Sequence, residues 1–245
     1  EAIVARVAYE ISQANGIDQF FPTIWGSQYL NKPPGLHWLI ASTISLVEQI
    51  HPSLSSPPNE FVVRFIPALI STLVVPIGGL LQWQLRPGDR NACLATAGIL
   101  LTLLPIARHG RLAMLDGPFL SLMALLWLLI IASEFKRPNR WQALGIGLAC
   151  SAMLLLKAPL LIPAALAGVC PIIFGRGLKT WLHTEPLSFL SLGLLPGVSW
   201  HFSHYLRRGS DALWQWGGDG AARVLFHAGE GSDLGWKVPL IEILE

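Results

Sequence analysis

Residues 142–174, QALGIGLACSAMLLLKAPLLIPAALAGVCPIIF, carry a single charge, Lys157, in a run otherwise free of Asp, Glu, Lys and Arg. A membrane helix needs about 20 mostly apolar residues. The two arms, 142–157 and 159–174, therefore read as two somewhat short spans joined by a tight turn at Lys157. Four further apolar stretches, 61–82, 92–107, 117–133 and 187–203, extend the pattern to six candidate spans. Several fall short of the ideal length, which predicts local thinning of the bilayer or shielding by neighbouring helices.

The rest of the chain agrees with that reading. Of 245 residues, 52% are hydrophobic and 13% charged, about half the charged fraction of a typical soluble domain. A large soluble core is excluded, and the fold class expected is an all-α polytopic membrane protein. The formal charge of +2 is too small to suggest a nucleic-acid partner. Cys93, Cys150 and Cys170 all lie inside apolar runs without a pairing rhythm, so they read as small buried hydrophobes. The organisation expected is an outer-side segment over 1–60, a helical bundle over 61–203 and an outer-side polar segment over 204–245. The chain starts on Glu1 inside a helical pattern and ends on KVPLIEILE without a stop signal. It reads as a fragment of a longer protein with at least one span upstream.

Within 1–14, EAIVARVAYEISQA, Val4, Val7, Ala8 and Ile11 fall on one helical face and Glu1, Arg6 and Glu10 largely off it. This is the pattern of a helix lying on a membrane surface. Residues 36–50, LHWLIASTISLVEQI, are too short and too polar to cross, and read as an interfacial or re-entrant helix. HPSLSSPPNE is a loop by its proline and serine content. Orientation follows from the basic residues. Arg86 with Arg90, Lys136 with Arg137 and Arg140, and Arg176 with Lys179 occupy alternate loops, which places these loops on the cytoplasmic side. Arg108, His109 and Arg111 on the opposite side dilute the signal. That side also receives residues 1–60, the 108–116 loop, the Lys157 turn and the polar tail.

The same topology gathers Glu1, Lys32, Arg111, Asp116 and Lys157 on one side, and charge near a bilayer is a functional candidate by default. Each also has an ordinary explanation. In YLNKPPGLHWL, Lys32 precedes Pro33 and Pro34, which stiffen its backbone. It is either a rigidly presented phosphate contact or a lysine snorkelling ahead of a helix. Asp116, in RLAMLDGPFL, is either a helix cap or a carboxylate poised beside Arg111. Lys157 is either a turn charge or a second phosphate contact, and Glu1 either a solvated helix charge or part of the site. His201 and His204, in HFSHY, have a spacing that admits a shared metal. GGDGAAR, from Gly217, has no strand before it and is not a dinucleotide loop.

EAIVARVAYEI, YLNKPPGLHWL, RLAMLDGPFLS and LLLKAPLLIP, in this order and spacing, resemble the C-type membrane glycosyltransferases. The resemblance is to bacterial members of the protein O-mannosyltransferase and lipid A aminoarabinose transferase group, and covers essentially the whole chain as the N-terminal half of a longer protein. It implies transfer of a hexosyl or pentosyl unit from a polyprenyl-phosphate donor to a protein, lipid or glycan acceptor outside the cytoplasmic membrane, with inversion. It also implies that Glu1, taken with Asp116 as a catalytic carboxylate, is the second member of an Asp–Glu pair whose aspartate, the base or acceptor-orienting group, precedes it. Lys32 would contact the donor phosphate, aided by Lys157 and Arg111, and Asp116 would be the acidic residue of the second outer loop. Asn31 stands where the aminoarabinose branch has a metal-binding glutamate, and Ala158 where a glycine commonly follows the lysine. No cofactor is implied with certainty, and a divalent metal is left open. The competing reading is a non-enzymatic polyprenyl-phosphate transporter or flippase, which predicts internal repeats and charges deep in paired spans; neither is visible.

Overall fold

The computed structural model describes residues 1–51, 58–133, 138–174, 183–213 and 215–216. Lys136, Arg137, Arg176, Lys179, most of the 51–60 loop, and the tail from 217 with its GGDGAAR stretch lie outside the described residues.

The chain is an all-α membrane protein. Helix α1 (Ala2–Gln13) buries Val4, Val7, Ala8 and Ile11, the face set by their spacing. A 3-10 turn (Gly16–Phe20) leads to a short hairpin of β1 (Thr23–Ile24) and β2 (Ser27–Gln28), in which Thr23 pairs with Gln28 and Ile24 with Ser27. The two residues between the strands, Trp25 and Gly26, have φ of 50° and 74°. A two-residue hairpin turn of this handedness matches the twist of its strands. Helix α2 (Gly35–Ile50) then buries Leu36, His37, Ile40, Ala41 and Ile44.

The bundle follows as α3 (Glu60–Thr72), α4 (Val74–Leu85), α5 (Arg90–Thr102), α6 (Leu104–Gly110), α7 (Asp116–Ala132), α8 (Arg140–Phe174) and α9 (Thr184–Arg208). Asn59 and Asp89 cap α3 and α5 through their side chains, accepting from the amides of Val62 and Ala92, as short acceptors at that position do. By length and composition alone, two described stretches are long and apolar enough to cross a membrane, Glu60–Leu85 and, taken as one unbroken helix, Arg140–Cys170, and a third if α5 and α6 form one span bent by 59°.

The difference from six candidate spans has local causes. Helix α5 stops at Leu103, and Pro105 opens the next helix, because proline fits the first turn but not a helix interior. Helix α7 is apolar but has only 17 residues. In α9, Ser, His and Trp dilute the apolar run.

Helix α8 is continuous by hydrogen bonding only in a formal sense, since Lys157 at φ −155° and ψ 76° is not helical. A Cβ added to Gly145 would lie 3.3 Å from Leu129 Cδ1, and one added to Gly168 would lie 2.8 Å from Ile130 Cδ1. A straight helix would separate residues 145 and 168 by roughly 35 Å at 1.5 Å per residue. They meet adjacent residues of α7, so the chain reverses at Lys157 and the two arms lie side by side. The cause is Pro159, which has no N–H for the carbonyl of Leu155 and clashes with it in a continuing helix.

The inner arm of α8 and α9 run parallel and nearly backbone to backbone. A Cβ on Gly147 would stand 2.3 Å from Leu190 O, one on Gly193 2.5 Å from Leu144 O, and one on Gly197 2.9 Å from Ser151 O. Small residues permit such approach where lipid offers no hydrophobic drive. The Gly197 amide donates to Ser151 Oγ at 2.6 Å. One core joins the layers: Val4 and Ala8 of α1 and Leu36, Ile40 and Ile44 of α2 cluster with Val62, Phe119, Leu126, Ile146 and Met153 of the bundle. Large apolar side chains such as Phe61, Leu69, Leu94, Ile99, Ile162 and Leu166 remain exposed, a surface suited to lipid rather than to water. Cys93 and Cys150 are half-buried, but Cys170 is exposed, so only part of the expectation of buried cysteines holds.

Candidate functional site

The reversal at Lys157 decides which ends meet. Helix α7 begins at Asp116, and Lys157 Nζ lies 2.7 Å from Asp116 Oδ1. Asp116 is the first helical residue, with Leu115 before it as the cap position and no side-chain capping bond. Its carboxylate therefore does not cap α7; it takes the lysine at the tip of the α8 reversal. Arg111, the neighbour expected for it, is exposed just beyond the end of α6, and among the described residues no ion pair joins it to Asp116.

Two contacts meet the backbone before Pro159 on the same tip. His201 Nε2 meets Leu154 O at 3.2 Å, and Gly35 packs so closely on Leu155 that an added Cβ would be 2.7 Å from its carbonyl oxygen. Gly35 follows the Lys32–Pro33–Pro34 turn, whose prolines are among the fully buried side chains. The turn is thus seated two residues from Lys157 in sequence. Gln215 Nε2 donates to the carbonyl of Lys32 at 3.4 Å, which adds a contact from beyond α9.

Glu1 sits on the other flank. Arg64 donates Nε to Glu1 Oε1 and Nη2 to Oε2, the latter at 2.9 Å, and the Ala113 amide donates to Oε1 at 3.2 Å. Hydrogen bonding from Arg64, against a smaller opposing effect of burial, holds the Glu1 carboxyl below its ordinary range. Arg64 also pairs with Glu60 at 2.8 Å. Glu1 thereby ties the start of α1 to α3 and to the loop that ends in Asp116. A small apolar cleft of about 150 Å³ opens beside Asp116, lined by Val74, Pro105, Ile106, His109 and Leu120 among others.

Glu1, Asp116 and Lys157 are therefore linked within one end of the bundle, and the Lys32 turn packs against the same tip. The histidine pair does other work. His201 caps Leu154, while His204 stacks on Trp200 at 4.8 Å and on Phe21 at 6.0 Å. Among the described residues no group of three metal-ligating side chains comes together, so the shared-metal spacing at His201 and His204 lacks a third partner.

Arg64 and Gln215 were not among the residues singled out by the sequence, and His201 was singled out only as half of a metal-binding pair, not as the partner of Leu154 O. Arg64 carried a signal: it is the only charge within FVVRFIPALI, and an isolated arginine in an apolar run wants a carboxylate.

The family model described as dolichyl-phosphate-mannose-protein mannosyltransferase matches residues 30–205. No curated protein and no solved structure matches the chain. The matched stretch takes in the Lys32 turn, the Asp116–Lys157 pair and the glycine seam between α8 and α9. On that match the chain belongs to the dolichyl-phosphate-mannose-protein mannosyltransferase family, as a membrane glycosyltransferase of the mannosyltransferase type.

Proposed function

We propose that the chain transfers a sugar from a polyprenyl-phosphate carrier to a hydroxyl acceptor, on the outer side of the cytoplasmic membrane. The observation that carries the reading is the Asp116–Lys157 contact, 2.7 Å, at the bundle end where the Lys–Pro–Pro turn packs. An anion-binding cation and a carboxylate are both needed for glycosyl transfer from a phosphate, and here they stand side by side.

In the proposed reaction the acceptor oxygen attacks the anomeric carbon while its proton passes to the Asp116 carboxylate, the bond from that carbon to the phosphate oxygen breaks, and the electron pair leaves with polyprenyl phosphate. Negative charge on the leaving phosphate grows through the transition state. Lys32, held by two buried prolines, would meet that charge with little reorganisation, joined by Lys157 at its reversal and exposed Arg111, and so favour the transition state over the ground state. Asp116 would orient the acceptor hydroxyl and stabilise positive charge developing on the sugar ring, as carboxylates do in glycoside chemistry. Glu1 already has both oxygens engaged, by Arg64 and the Ala113 amide. Its part is to position the start of α1 against the Asp116 loop rather than to take a proton. The acceptor class this favours is a protein hydroxyl, in keeping with the family description; a lipid or glycan hydroxyl makes the same chemical demand.

The test is direct in the full-length protein. Lys32→Ala and Asp116→Asn are each expected to lower sugar transfer by about 10²–10³-fold, the usual cost of losing one preorganised group, with membrane insertion unchanged. Normal turnover in both variants refutes the assignment. Free polyprenyl phosphate should appear in step with transfer, which a transporter would not produce.

A further inference from the structure

Two partners want Lys157. The proposed donor phosphate needs its ammonium, yet the structure pairs that ammonium with Asp116. The carboxylate has the matching problem, since an oxygen already accepting from a lysine is a poorer partner for an acceptor hydroxyl. The side chains of Lys157 and Asp116 are 31% and 51% exposed, so the pair is open to exchange rather than locked in a dry interior. An exposed ion pair is weak enough for an incoming phosphate to replace at a cost of about two- to fivefold in affinity. The carboxylate keeps support after the exchange, because Asp116 lies in the first turn of α7, where the helix N-terminus favours negative charge.

We propose that Asp116 and Lys157 form an exchangeable ion pair that sets the order of binding: the donor phosphate takes Lys157, and the carboxylate released by that exchange then engages the acceptor hydroxyl. This rests on the donor-phosphate reading given above. The order has a chemical use. Asp116 Oδ1 is occupied by the lysine, and so is a poorer partner for an acceptor hydroxyl, until a donor is in place. As the leaving phosphate gains charge, its hold on Lys157 strengthens, so the lysine does not return to Asp116 before transfer is complete.

The experiment measures binding of citronellyl phosphate, a short prenyl phosphate, to the purified full-length protein and its variants. Asp116→Asn is expected to bind it about two- to fivefold more tightly than wild type. Lys157→Ala should bind it more weakly, and Asp116→Asn should give no gain in the Lys157→Ala background. A gain that persists without Lys157 is a general charge effect, and overturns the exchange. So does the absence of any gain. Should Asp116→Asn fail to fold, binding to wild type decides the order. A serine acceptor peptide is expected to bind more tightly with citronellyl phosphate present than without it, and its serine-to-alanine counterpart to gain less; no gain for the serine peptide, or an equal gain for both, overturns the proposal. Binding of citronellyl phosphate that ignores both Lys32 and Lys157 overturns the donor-site reading itself. Lysine-dependent binding without coupling to Asp116 sinks the exchange alone.

Discussion

Glu10 was read from its spacing as a charge lying off the buried face of α1, and it does lie there, but not idle. Its carboxylate accepts from Thr23 Oγ1 at 2.7 Å, from the Trp25 and Gly26 amides at 2.6 and 3.4 Å, and from Arg6 Nε at 2.7 Å. Trp25 holds φ of 50°, a backbone region that costs a bulky residue energy unless neighbours fix it, and Glu10 supplies the fixing. Burial pushes the Glu10 carboxyl up, yet the bonds from Thr23, Arg6, Trp25 and Gly26 outweigh it and leave the group below its ordinary value of 4.5. A depressed carboxyl stabilises the fold above the unfolded-state value, and that contribution is lost as pH falls through the folded-state value. Glu10→Gln should therefore lower the thermal midpoint at neutral pH, by about 1–3 kcal/mol of lost charge-assisted bonding. The gap to wild type should close as pH drops below 4.5; a gap that stays constant with pH would show that packing, not charge, is responsible. Asp116 teaches a related lesson at the same scale. Its type and its place at a helix start were legible in RLAMLDGPFL, but its partner stands 41 residues away, and no local spacing carries that information.

Among the elements, α8 was the most legible and α5 with α6 the least. A lysine and a proline interrupting a 33-residue apolar run were enough to place a turn at Lys157, because proline in that position removes a helical bond whatever surrounds it. The break between α5 and α6 has the same cause in Pro105, but the apolar run continues across it and hides the bend. The hairpin at Thr23–Gln28 was missed since its strands are two residues each, below the length at which alternation can be seen. The α8 reversal makes a firm prediction. In a background without Cys93, Cys150 and Cys170, the pair Leu129→Cys with Gly145→Cys and the pair Ile130→Cys with Gly168→Cys should both cross-link with a short bismaleimide. A straight α8 would allow at most one of them.

For the whole molecule, the contacts give each successive helical run the opposite sense: α3 with α4 away from the site, α5 with α6 back, α7 away, and the first arm of α8 back. Ser71 beside Gly117, and Leu100 beside Gly78, mark the levels at which these runs pass. Arg86, Arg90 and Arg140 consequently lie at the end remote from Asp116 and Lys157, the arrangement the alternate basic loops led one to expect. We expect Lys32→Cys and Asp116→Cys to react with an impermeant maleimide from the outer side of intact cells, and Arg86→Cys and Arg140→Cys only after the membrane is opened. Reaction of Lys32 and Asp116 from opposite sides would dismantle the site. Membrane character and the composition of this end were legible because hydropathy and charge are properties of single residues. Its assembly was not, because it depends on Arg64, His201 and Gln215 reaching carbonyls and carboxylates far away in the chain. One consequence reaches beyond the site. Gly147, Gly193 and Gly197 leave only the small Ser151 hydroxyl, itself held by the Gly197 amide, between the first arm of α8 and α9, so that junction can yield little by changing rotamer. A push on the lysine-bearing tip would be passed to α9 as to a stiff rod, and whatever the chain attaches after Arg208, at that same end, would feel the donor arrive.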